Sequence, residues 1–76
     1  MENYNGYSNY ETWNVALWFN NEEALYNDLK HLNYSSDIKT YVLDRFNASG
    51  AFGDLTSQEQ IDKVDFNELI LALKSH

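Results

Sequence analysis

Apolar positions along this chain recur three and four residues apart, and no segment alternates residue by residue between turn signals, so the pattern is helical throughout. The densest stretch, residues 8–21, reads SNYETWNVALWFNN. Ser8 followed by Glu11 fits an S-x-x-E capping box, in which each side chain satisfies a free N–H at a helix start. A first helix is therefore predicted from about Asn9 to about Asn20, where the Asn20-Asn21 pair supplies a stop. Leu25, Leu29 and Leu32 predict a second helix from Glu22 to about Leu32. Glu22 and Glu23 sit at its positive end and Lys30 and His31 near its negative end. After Asn33-Tyr34-Ser35-Ser36 a third helix runs from Asp37 to about Phe46, with Ile38, Tyr41, Val42, Arg45 and Phe46 along one side. The small and Gly residues of 47–54 read as a loop. Thr56 or Ser57 then caps a short helix through Val64. Asp65 with Glu68 offers a second capping box, opening a final helix whose Phe66, Leu69, Ile70 and Leu73 face inward. One long helix from Ser57 to Lys74 is the alternative, since neither Pro nor Gly interrupts it. The expected fold is all-α: a compact single-domain bundle of four or five short helices around an aromatic-rich first helix, spanning 8–76, with 1–7 as a tail that Tyr4 and Tyr7 are able to pin.

At 100° per residue, Tyr10, Trp13, Ala16 and Leu17 of the first helix lie on one side and Val15 and Phe19 roughly opposite. A helix apolar on more than one face is one that others pack around, which makes it the expected hub. Glu11, Asn14, Trp18 and Asn21, at i, i+3, i+7 and i+10, form a separate strip in which an indole stands among a carboxylate and two carboxamides. A Trp so placed offers much contact area at low entropy cost, so these four residues are the candidate interaction surface. The competing reading puts Trp18 at the core margin, with Asn14 and Glu11 bonding neighbouring backbone. Full enclosure of Trp18 by its own chain would decide for that second reading.

Asn9-Tyr10-Glu11-Thr12-Trp13-Asn14-Val15-Ala16-Leu17-Trp18, followed by Asn20-Asn21-Glu22, resembles the opening of a family of small proteins of unknown function found in bacteria and their phages. Two Trp in fixed register with Asn, Glu and Thr make the likeness specific. It implies a cytoplasmic or phage context and brings no activity and no catalytic residue with it.

Length and charge narrow the picture further. A chain of 76 residues supports a single core, and with no Cys that core must come from packing alone. Two Trp, four Phe and six Tyr are sufficient for it. A net charge of −7 argues against direct binding to nucleic acid or to an anionic membrane and permits a basic partner. Without a leader pattern or an apolar run of about 18 residues, the expected location is cytoplasmic.

Candidate chemistry is sparse. His31 and His76 are the only imidazoles, and neither stands in a nucleophile signature. Glu59, Asp62, Asp65 and Glu68 recur every third residue, but such a row drifts by about 60° per step around a helix and does not converge on one ion. Read as the end of a calcium loop, the same segment puts Asp62 where Gly is required. Gly50-Ala51-Phe52-Gly53 lacks the Lys and Ser or Thr of a phosphate cradle, and Lys30, Lys39, Arg45, Lys63 and Lys74 are too dispersed for a DNA patch. No catalytic, cofactor-binding or metal-binding residue is therefore predicted, and no cofactor. The leading functional expectation is a protein–protein interaction module with an unknown protein partner, a homodimer being a special case. One alternative is an acidic DNA mimic that inhibits a nucleic-acid-binding host protein. Another is a small-ligand-binding protein or enzyme with a site near Glu11 and Asn14.

Overall fold

The computed structural model describes residues 4–74; His76 and the first three residues of the expected tail lie outside them. Five helices follow in order: α1 Tyr10–Asn21, α2 Glu23–Leu29, α3 Ser35–Ser49, α4 Gln58–Asp62 and α5 Phe66–Lys74. No strand occurs among the described residues, and the fold is the expected all-α single domain. Val15, Ala16 and Phe19 of α1 meet Leu25 and Leu29 of α2, Ile38 and Val42 of α3, and Leu69 and Leu73 of α5 in one core. The buried residues of α1 are thus Thr12, Asn14, Val15, Ala16 and Phe19. Tyr10, Trp13 and Leu17, which share one side with Ala16, are only half-buried.

Several boundaries differ from expectation, each for an identifiable reason. Asn9, not Ser8, caps α1: its extended backbone lets the side-chain oxygen accept from Thr12 N at 2.8 Å. α2 stops at Leu29 because its last residues tighten into i→i+3 bonds, from His31 N to Asp28 O and from Leu32 N to Leu29 O. α3 starts two residues earlier than expected because the Asp37 carboxylate accepts from the backbone N–H groups of Asn33 and Tyr34, both at 3.2 Å. It continues past Phe46 through Asn47, Ala48 and Ser49. None of those three breaks a helix unaided; the stop is Gly50, whose left-handed φ of +79° closes the helix with a 2.7 Å bond from Gly50 N to Phe46 O.

The break between α4 and α5 falls where the Asp65 cap predicts, and the start of α1 holds it open. Asn9 Nδ2 donates to Lys63 O at 2.8 Å, Asp65 N donates to Thr12 Oγ1 at 2.9 Å, and Ser8 donates to Glu68 Oε1 through both N and Oγ, at 3.0 and 2.6 Å. The Asp65 carboxylate still caps α5, accepting from Glu68 N at 3.0 Å. Of the expected capping boxes, Asp65 keeps its half, while Ser8 and Glu68 find one another across 60 residues instead of Ser8 pairing with Glu11. A continuous helix would forfeit these contacts, and its neutral continuation bonds are individually weaker than those to a carboxylate.

Tyr4-Asn5-Gly6-Tyr7 is a tight turn in which Tyr4 and Tyr7 exchange backbone bonds of 2.6 and 2.9 Å. Asn5 and Gly6 both have positive φ, +51° and +92°, the signature of a type I′ turn. The Tyr4 ring lies edge-on to Tyr10 at 5.4 Å and tilted against Trp13 at 4.9 Å, covering the half-exposed side of α1.

Candidate functional site

The strip of Glu11, Asn14, Trp18 and Asn21 passes from the interior to the surface. Asn14 is fully buried at 0% exposure, Glu11 and Trp18 are half-buried, and Asn21 is exposed. Asn14 reaches across to residues 50–55, where its Oδ1 accepts from Asp54 N at 3.2 Å and its Nδ2 donates to Asp54 Oδ2 at 3.0 Å. The same Nδ2 lies 3.4 Å from the Tyr10 hydroxyl. Partial burial, with the Asp54 carboxylate next in importance, pushes the Tyr10 phenol above its ordinary range and keeps it neutral. Asn14 is thereby a clamp on the loop, with both ends of its carboxamide engaged.

Trp18 lies over the same loop. Phe52 and Leu55 exchange backbone bonds of 2.9 and 3.0 Å around Gly53, whose φ is +61°. A Cβ on Gly53 would stand 2.3 Å from Trp18 Cδ1 and 2.4 Å from Nε1, so the indole packs where a side chain would otherwise be. Trp18 Nε1 is enclosed there without a hydrogen-bond partner among the described residues. Phe52, held in place by this turn, meets Phe19 at 5.9 Å in the core. The α1 segment therefore holds two chain breaks at once: Asn9 and Thr12 bind the α4–α5 junction, while Asn14 and Trp18 bind the 52–55 turn.

A second electrostatic contact stands at the α2–α3 edge. Tyr41 donates to Asp28 Oδ2 at 2.6 Å, and the Arg45 guanidinium lies 5.3 Å from the Tyr41 ring centre. Burial, followed by the Asp28 bond, pushes the Tyr41 hydroxyl up to about 12 against the opposing pull of Arg45. That phenol is a structural donor, not a base.

A more open groove lies elsewhere. A groove of about 800 Å³ runs between the Asn5-Gly6-Tyr7 turn and α5, with Asp65, Glu68 and Leu71 on its helical side. Leu71 is 70% exposed, on the face of α5 opposite the buried Leu69 and Leu73. Among the described residues no group of three or more His, Cys, Asp or Glu side chains is placed to hold a metal, and no helix is long and apolar enough to cross a membrane.

The sequence pattern of DUF7249, described as a family of unknown function, matches residues 1–74. The chain belongs to DUF7249. No curated protein and no solved structure matches it. In this DUF7249 member Asn9, Thr12, Asn14 and Trp18 of the tryptophan segment act on their own chain. The residues that pattern reading missed are Asn5, Gly6, Gly53, Asp54 and Leu71. The Asn-Gly dipeptide is a strong type I′ turn signal, and Gly53-Asp54 between Phe52 and Leu55 is another turn cue. Leu71 was legible as a large apolar residue off the inward stripe of its helix.

Proposed function

We propose that this protein is a small acidic interaction module that docks a partner protein presenting positive charge, with the groove beside α5 as its contact surface. The observation that carries the reading is Leu71, a large aliphatic side chain left in water on the wall of this groove. Covering what remains of a Leu is worth about 1–2 kcal/mol, enough to anchor a contact when polar groups around it supply selectivity. The net charge of −7 favours a basic partner and opposes pairing with another copy of itself. Glu11, Asn21 and the outer edge of Trp18 lie on a different part of the surface and form a secondary candidate contact; Asn14 supports it from within by fixing the 52–55 turn.

Affinity capture from the native host, comparing wild type with Leu71→Ser and Trp18→Ala after each is shown to be folded, tests this reading. Loss of a captured protein with Leu71→Ser supports the α5 groove, and loss only with Trp18→Ala moves the contact to α1. An identical set of captured proteins for all three would end the proposal.

A further inference from the structure

Resting on that reading, we infer that the groove between the Asn5–Tyr7 turn and α5 accepts a cationic amphipathic segment of the partner, with an aliphatic side chain on Leu71 and Arg or Lys side chains on Asp65 and Glu68. The two carboxylates line the groove, and among the described residues no Lys, Arg or His does. Both are already oriented by the fold. Asp65 Oδ1 accepts from Glu68 N at 3.0 Å, and Glu68 Oε1 accepts from Ser8 N and Oγ. The second oxygen of each, Asp65 Oδ2 and Glu68 Oε2, takes part in none of the side-chain hydrogen bonds of the described residues. A carboxylate held by one oxygen loses little rotamer freedom when a cation engages the other, the condition under which a charged contact adds affinity. A guanidinium suits such a site because its forked donors meet carboxylate oxygens in fixed geometry.

Shape agrees with charge. Gly6 has no side chain and open space beside it, and Ala72 is small, so an incoming backbone is able to approach the groove closely. Asn67 and Leu71, four residues apart on α5, share one face of that helix and both line the groove. A second copy of this chain is disfavoured as occupant because it would bring the same carboxylates and the same net charge of −7 to the contact. Nucleic acid and anionic lipid are disfavoured for the same reason.

The test uses the whole protein and three synthetic peptides: a helical peptide with Arg and Leu on adjacent faces, a scrambled peptide of equal composition, and a peptide with Glu in place of Arg. Asp65→Asn with Glu68→Gln removes both charges yet keeps the cap on α5 and an acceptor for Ser8, so the fold is preserved. Glu23→Gln with Glu59→Gln removes the same charge from exposed positions elsewhere. The expected result is that the patterned Arg peptide binds wild type at least tenfold more tightly than the scrambled or Glu peptides. The Asp65/Glu68 variant should lose tenfold or more and much of the salt dependence, Leu71→Ser should lose several-fold, and the Glu23/Glu59 variant should change less than twofold. NMR shifts should map to the Asn5–Tyr7 turn and α5. Equal losses in the two double variants, or equal binding of patterned and scrambled peptides, mean that net charge alone attracts the peptide and overturn the inference. If host capture still depends on Leu71 while binding is indifferent to Asp65 and Glu68, the interaction-module reading stands and the cationic occupant is wrong. If Leu71→Ser changes neither capture nor peptide binding, the groove is not the contact surface.

Discussion

Replacing Gly53 by Ala tests most directly how α1 organises the rest of the chain. Two costs add at this position. A φ of +61° strains any residue with a Cβ by about 1–2 kcal/mol. The new methyl would also stand 2.3 Å from Trp18 Cδ1 and 2.8 Å from Asn14 Oδ1, both on a packed helix, and such overpacking costs about 1–3 kcal/mol. The expected total of ~2–5 kcal/mol is a large part of the ~4–11 kcal/mol available to a chain of this length. Gly50→Ala is the matched control, since Gly50 also has positive φ, +79°, but has nothing within 4 Å of its would-be Cβ. It should show the backbone term alone. In urea, with a slope near ~1 kcal/mol per M, the Gly53 midpoint should fall by an extra ~1–3 M relative to Gly50. In a Trp18→Ala background much of that excess should vanish, because the contact that causes it is gone. If the two Gly→Ala variants unfold within ~0.5 kcal/mol of each other, the indole does not press on this turn and the proposed role of Trp18 is mistaken.

Thr12→Val, nearly isosteric, removes the acceptor for Asp65 N and should cost about 1–2 kcal/mol in urea titrations; a neutral substitution would show that the α4–α5 break does not depend on α1. Tyr41 has a folded-state pKa raised from 10.0 to about 12, so the contribution of its protonated hydroxyl is complete below pH 10 and is lost as pH rises toward 12. The full shift corresponds to ~2.7 kcal/mol, and solvent screening at this half-buried position reduces the expectation to ~1 kcal/mol. Stability measured across that window should fall more steeply for wild type than for Tyr41→Phe, and parallel curves would count against the Asp28 bond. Leu71→Ser should leave thermal stability within ~0.5 kcal/mol of wild type, since the side chain belongs to no core; a larger loss would make Leu71 a packing residue and weaken the docking proposal.

Helix content and the inward stripes of α2, α3 and α5 were readable from spacing, because a 3.6-residue period places Leu25 and Leu29, Ile38 and Val42, and Leu69 and Leu73 on single faces whatever surrounds them. The α4–α5 break was the preferred reading because Asp65 carries its own cap, but one continuous helix from Ser57 to Lys74 fitted the same pattern. The partners of the polar residues on α1 were not. Ser8 had a local option in sequence, the box with Glu11, and took a distant partner, Glu68; Asn14 looked like part of a surface strip and was drawn inside by Asp54, 40 residues away. Local periodicity reports which way a side chain points from its own helix. Only the packing of one helix against another decides whether that direction leads to water, to an orphan N–H, or to the bare backbone of Gly53.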